Sequence, residues 1–516
     1  MSSPLSACLK VPYHLSPLAV LARRIIDDHH DTLPDLNKVT VLIPDNSAAR
    51  QLRRELISAA TAYGHTALLG PRILSLREWA RQFLPQEHQV CDEQSRELLL
   101  VEALLEQNKL LAGANPWALA ENLLQLFDEL TLNAVQIPDT LAEFSEQLAE
   151  AYQLIDDSLA PFSHEAQIVH ILWQAWHQQL ADRQQVDSSM AYVLAMNQAR
   201  LNDGTRHIYL AGYDFVSRVE RNWLEKLQQQ GHGVMLQSVA ELADQSVSDY
   251  RRCLDSIYQT EGEALLPRAR DFAGQLPTSP LQQTLSVFSA TNHEEEARAV
   301  DVQVRQWLLA GKQRIGIVTE NRRLARRVRA LLERADIQLE DATGWALSTT
   351  RAAASLEALL QCLEEDFSHI PFLDLLKSPF IFADLERKCV ELSAFRLEQD
   401  IIQHENIARG LPRYRNHLLK RQARLPDWMP EVSPTLLAML DRFDAAAANF
   451  QSLLTGRHLA SQYLATLYET ITQLGMEPAL SADAAGQRLM QTLDKMANSA
   501  QGVAVRIDWL DFRSWL

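Results

Sequence analysis

The feature that most constrains this chain is an order of segments. Short runs that read as strands, each followed by an amphipathic helix, are separated by long stretches that read as helix alone. Lys38–Pro44 (KVTVLIP) is a continuous apolar, β-branched run closed by proline, the pattern of a strand buried on both faces. Asp45, Asn46 and Ser47 follow as capping residues for a helix through Leu52 and Leu56. Ala7–Val11, Ile208–Gly212, Val234–Gln237, Ser286–Ala290 and Arg314–Thr319 read as further strands. The strand–loop–helix rhythm is that of a parallel sheet. Residues 92–180 and 352–516 read as helix, with Asn115-Pro116 a start signal, and residues 238–283 as a loop. The expected class is α/β: parallel-sheet domains with large helical insertions, mostly helical overall.

Length and composition narrow the function. With 516 residues the chain is too long for one core. Its five cysteines form no CxxC pair, its N-terminus lacks a secretory pattern and no run approaches a membrane span, so a cytoplasmic protein without membrane contact is expected. The net charge of −17 argues against a simple nucleic-acid coat and leaves room for local basic patches.

Two such patches stand out. Asn321–Arg334 (NRRLARRVRALLER) carries Arg322, Arg323, Arg326, Arg327, Arg329 and Arg334 against one acid, Glu333. Leu324, Val328, Leu331 and Leu332 mark its buried stripe. Arg409–Arg424 carries Arg409, Arg413, Arg415, Lys420, Arg421 and Arg424 with no acid, and Tyr414 lies among them. Arginine suits phosphate and an interleaved aromatic suits base stacking, so both patches are candidate DNA contacts.

Other chemistry is harder to find. A nucleoside triphosphatase needs GxxxxGK[ST] after its first strand, so that backbone N–H groups and a lysine hold the phosphates. Here the loop is Pro12-Tyr13-His14-Leu15-Ser16-Pro17, with no glycine and no lysine. Tyr13, His14 and Ser16, with Asp214 after the strand at Ile208, read as a degenerate nucleotide site. His170 and His177 share a helix face with Trp173 and Trp176 nearby and, with no third ligand evident, read as helix-surface or packing residues. Asp128-Glu129 reads as a solvated helix face, and no nucleophile elbow or catalytic carboxylate pair is evident.

Taken in order, several segments resemble the AddB/RecC-like proteins, inactivated superfamily-I helicases that usually carry a C-terminal PD-(D/E)XK nuclease. They are VTVLIPDNSAARQLRREL from Val39, GPRILSLREW from Gly70, WALAENLLQLFDEL from Trp117, IYLAGYDFVSRVE from Ile208, EEEARAVDVQVRQWL from Glu294, RIGIVTENRRLARRVRALLERADIQLEDATGWALSTT from Arg314 and PFLDLLKSPF from Pro371. Within that superfamily they are similar to a group of bacterial DNA-repair proteins. The resemblance implies a P-loop NTPase-like, helicase-like first domain from residues 1–90 and 200–285, with a helical insert at 91–199. It implies the start of a second such domain at 286–350 and a second helical insert at 351–516, truncated at its end. Ala211 stands where a motor's magnesium-binding acid is expected and the loop at Tyr13 to Pro17 lacks the motor's glycine and lysine, so no ATPase activity is expected of this segment, and the resemblance implies that the nuclease lies beyond residue 516. No cofactor is expected in it; Mg2+ would serve a nuclease beyond residue 516. The implied role is that of a DNA-binding, non-motor component of double-strand break repair and recombination, acting on single-stranded or forked DNA beside a helicase–nuclease partner. The alternatives are an active ATP-dependent helicase or exonuclease with its catalytic residues beyond 516, and a scaffold that binds only protein.

Overall fold

In a computed structural model, the described residues are all of the chain except 1–6, 13–14, 107–114, 152–159, 200–206, 214–215, 230–232, 240–263, 276–284, 342–343, 345 and 424–433. The chain divides into two compact units. One comprises residues 1–79, 201–216 and 224–344; the other comprises 80–200, 217–223 and 345–516.

The first unit holds a five-stranded parallel sheet: β1 (Ala7–Pro12), β2 (Val39–Leu42), β3 (Arg72–Leu74), β4 (His207–Ala211) and β5 (Gly233–Val239), in the order β1-β5-β4-β2-β3. All four residues of β2 are buried, which explains why its sequence does not alternate. The helices Pro17–Asp28 and Ser47–Thr61 cover the sheet, placing Leu21, Ile25, Leu52 and Leu56 against Val39, Val41, Tyr209 and Val234. Ser16 caps the first helix, accepting from Ala19 N at 3.4 Å, and Pro17 opens it. The chain leaves the sheet after Leu74 and returns at His207, so a helical stretch interrupts the α/β pattern as the sequence suggested.

The same unit contains a helix pair, His293–Leu309 and Arg322–Glu333, closed by a small core of Ala297, Val304, Leu324, Val328 and Leu332. The strands expected at 286–290 and 314–319 are not formed: neither segment carries regular secondary structure or pairs with a strand among the described residues. A strand is defined by its partner, and neither segment has a backbone hydrogen bond to another described residue's backbone across 313–319 or 285–290. Val287, Phe288 and Val318 stay exposed, so the expected second parallel-sheet domain at 286–350 is not built from these residues. The loop expected over 238–283 contains a helix, Leu265–Gln275; the rest of that stretch lies largely outside the described residues.

The second unit is helical, and one core runs through it. Leu98, Val101, Trp117, Phe127 and Trp176 from the earlier stretch belong to the same cluster as Leu359, Phe443, Met496 and Phe512 from the later one. Polar ties reinforce it: Ser499 Oγ donates to Asp92 Oδ1 at 2.6 Å, and Trp117 Nε1 to Asp511 Oδ1 at 2.8 Å. The helix Trp509–Trp515 is capped by the Asp508 side chain accepting from Asp511 N at 2.9 Å. Among the described residues no helix is long and apolar enough to cross a membrane.

Asp128 corrects the sequence reading. Instead of a solvated face it meets Arg96, whose NH2 lies 2.6 Å from Asp128 Oδ1 and whose Nε lies 2.8 Å from Asp187 Oδ1. Arg96 and Asp187 are each 6% exposed, and Asp187 also accepts from Trp176 Nε1 at 3.0 Å. Buried charges persist only when paired and hydrogen-bonded in this way.

Candidate nucleic-acid interface

The helix Arg322–Glu333 begins where Asn321 accepts from Arg323 N at 3.0 Å and Leu324 N at 3.2 Å. Its apolar stripe faces the neighbouring helix, and at 3.6 residues per turn the arginines fall on the opposite arc. Arg322, Arg323, Arg326 and Arg334 are exposed; Arg327 and Arg329 are half-buried. Arg327 and Arg329 are neutralised by carboxylates. Arg327 forms a two-point contact with Glu294, Nε to Oε2 at 2.6 Å and NH2 to Oε1 at 2.7 Å, and Arg329 pairs with Glu333 at 2.6 Å. Those bonds from Arg327, with help from Arg298, hold the Glu294 carboxyl down at about 2. Arg323, Arg326 and Arg334 have no ion pair among the described residues. Of the sequence candidates here, Arg323 and Arg326 therefore remain available to an outside anion, on one exposed helix face.

The second patch turns out differently. Its helix, Leu411–Gln422, is largely committed to the protein itself. Arg415 is held by Asp441 and Asp444, and Arg421 by Asp400 at 3.1 Å with Glu405 at 4.0 Å. Tyr414 is 0% exposed, so it cannot serve as the base-stacking platform that the sequence suggested. Its place follows from spacing: Leu411, Tyr414 and Leu418 form the buried stripe of the helix. Arg409, Arg413 and Lys420 remain exposed, while Arg424 lies outside the described residues.

At the candidate nucleotide site, Tyr13, His14 and Asp214 lie outside the described residues. Ser16 is spent on capping the following helix. Gly212, at the end of β4, has φ +81, and a Cβ there would come within 3.2 Å of the Pro44 ring.

Sequence reasoning missed a polar cluster at the carboxyl ends of β2, β3 and β4. Glu78 Oε2 accepts from Ser75 N at 2.8 Å and Ser75 Oγ at 3.0 Å, and Glu78 Oε1 accepts from Asn46 Nδ2 at 3.1 Å. Leu76 N donates to the Tyr213 hydroxyl at 3.0 Å. The signal was present: Ser75-Leu76-Arg77-Glu78 has the S-x-x-E spacing of a capping box.

The histidines pack. His170 Nε2 lies 2.9 Å from Pro138 O with its ring against Phe144, and His177 meets Trp173 edge-on. Among the described residues no group of three His, Cys, Asp or Glu side chains is placed to hold a metal ion.

No protein-family model matches the chain, and a search of curated proteins finds no match.

Proposed function

We propose that this chain is a DNA-engaging, non-motor component of double-strand break repair and recombination, organised like an inactivated superfamily-I helicase of the P-loop type. The observation that carries the reading is the arginine face of Arg322–Glu333. Its unpaired guanidiniums lie together on one exposed helix surface of an otherwise acidic chain of net charge −17. A local concentration of unpaired arginine against such a background suits phosphate, because each neutralised phosphate releases condensed counterions.

Two further features support the reading. A helix follows the first strand of a parallel sheet, and a helical stretch interrupts that sheet between β3 and β4. The intervening loop offers neither glycine nor lysine, which favours DNA handling without ATP turnover. In this reading the protein works in the cytoplasm on single-stranded or forked DNA, beside a helicase–nuclease partner, and Mg2+ serves a nuclease segment of the longer family architecture.

The test is salt-dependent binding to single-stranded and forked DNA. Reversing Arg323 and Arg326 together to Glu is expected to weaken binding to every sequence and flatten the salt dependence by about 1.4 in log–log slope, about 0.7 per lost single-strand phosphate contact. Unchanged affinity would remove the reading and favour a scaffold that binds only protein. ATP hydrolysis by the purified protein would overturn its non-motor part.

A further inference from the structure

Resting on the DNA-binding reading above, we infer that Glu294 is a built-in competitor for phosphate at Arg327, setting how many strand phosphates the arginine face can hold. The two N–H groups that Arg327 aims at Glu294, at 2.6 and 2.7 Å, form the same fork that guanidinium presents to a phosphate. The carboxylate is shared, since Arg298 Nε also donates to Glu294 Oε1 at 3.0 Å. Glu294 therefore occupies a two-arginine oxyanion position within the arginine face.

The competitor is positioned rather than loosely tethered. It lies in the first turn of His293–Leu309, where Asn292 accepts from Glu295 N at 2.9 Å and Glu295 Oε2 accepts from Thr291 N at 2.8 Å. A carboxylate in a first helical turn is also favoured by the helix dipole. The contact is nonetheless within reach of solvent, with the Arg327 and Glu294 side chains 42% and 40% exposed. An incoming strand can thus reach Arg327, but only by displacing Glu294 or working around it. Arg323 and Arg326, four and one positions ahead on the exposed arc, carry no such counter-ion among the described residues and take phosphate first.

The experiment is a double-mutant cycle on Glu294 and Arg327, read by the affinity of a labelled oligo-dT strand across a salt series. E294Q keeps the side chain's shape and removes its charge. It is expected to tighten binding by about three- to tenfold and to steepen the salt slope by about 0.7, one added single-strand phosphate contact. In the R327Q background the same change is expected to do little, because the released group is then absent. Equal tightening in both backgrounds would show only a change in net charge and would overturn the inference. No tightening by E294Q, with R323E/R326E still weakening binding, would overturn it while leaving the DNA-binding reading intact. If R323E/R326E also leaves binding unchanged, both fail. Circular dichroism of each variant confirms that the helix pair is retained.

Discussion

The Tyr414 hydroxyl donates a 3.0 Å hydrogen bond to the backbone carbonyl of Phe367, while its ring stacks on Phe372 at a centroid distance of 5.7 Å. An aromatic that sequence alone offers to nucleic acid is thus a strut of the helical core. Tyr414→Phe keeps the ring and leaves the carbonyl of Phe367 short of a partner, which is expected to cost about 1–2 kcal/mol. Chemical denaturation should show a lower midpoint, and DNA affinity should not move. A loss of affinity at unchanged stability would return Tyr414 to the binding surface.

Within the second patch, committed and uncommitted arginines are expected to separate cleanly. Arg415→Glu places a third carboxylate beside Asp441 and Asp444 and is expected to destabilise the fold by about 1–2 kcal/mol, the partial exposure of the pair limiting the effect. Arg413→Glu touches no ion pair among the described residues and should leave the melting temperature unchanged. If Arg413→Glu weakens DNA binding, the helix Leu411–Gln422 joins the interface; if it does not, Arg413 is not a DNA contact.

Arg96 carries the buried charge network. Its removal leaves Asp187, itself 6% exposed, without its cation. Arg96→Ala is expected to cost about 3–5 kcal/mol. Arg96→Lys should rescue only part of this, because an ammonium cannot reproduce the fork that meets Asp128 and Asp187 together. Thermal unfolding of the two variants decides the point, and near-wild-type stability of Arg96→Ala would contradict it.

Glu97 gives a pH signature. Burial first, then Glu121 and Glu93, push its carboxyl up from 4.5 to about 6. The folded state therefore holds an extra proton in that window. Its contribution is fully present below pH 4.5 and is lost as pH rises through about 6. Glu97→Gln should abolish this decline and stabilise the protein at neutral pH by up to about 1 kcal/mol, after discounting for solvent screening. Denaturation midpoints measured from pH 4 to 7 should converge for parent and variant at the acid end; parallel curves would contradict the assignment.

How legible these features were in the sequence depended on whether their cause was local. β2 could be read because a strand buried on both faces has a continuous apolar run, and Asn115 because capping is a one-turn event. β3 was missed because its three residues, one of them exposed, owe their strand to pairing with β2. Ser286–Ala290 and Arg314–Thr319 failed in the opposite sense, having strand composition without a neighbour. The arginine face was legible from composition, but which arginines are already spent was not. Glu294 reaches Arg327 across 33 residues, and Asp441 and Asp444 approach Arg415 from another helix. Asp128 was misread for the same reason, since nothing near it in sequence announces Arg96.

The shared helical core also bears on how the protein is made. Its ties join Asp92 to Ser499 and Trp117 to Asp511, across 407 and 394 residues of chain. Contacts so distant carry a large loop-closure cost and form late. During synthesis Asp92 and Trp117 lack these partners until Ser499 and Asp511 have left the ribosome. The sheet of the first unit needs nothing beyond Val239 to pair its strands, so the two units are expected to mature at different times on the same nascent chain.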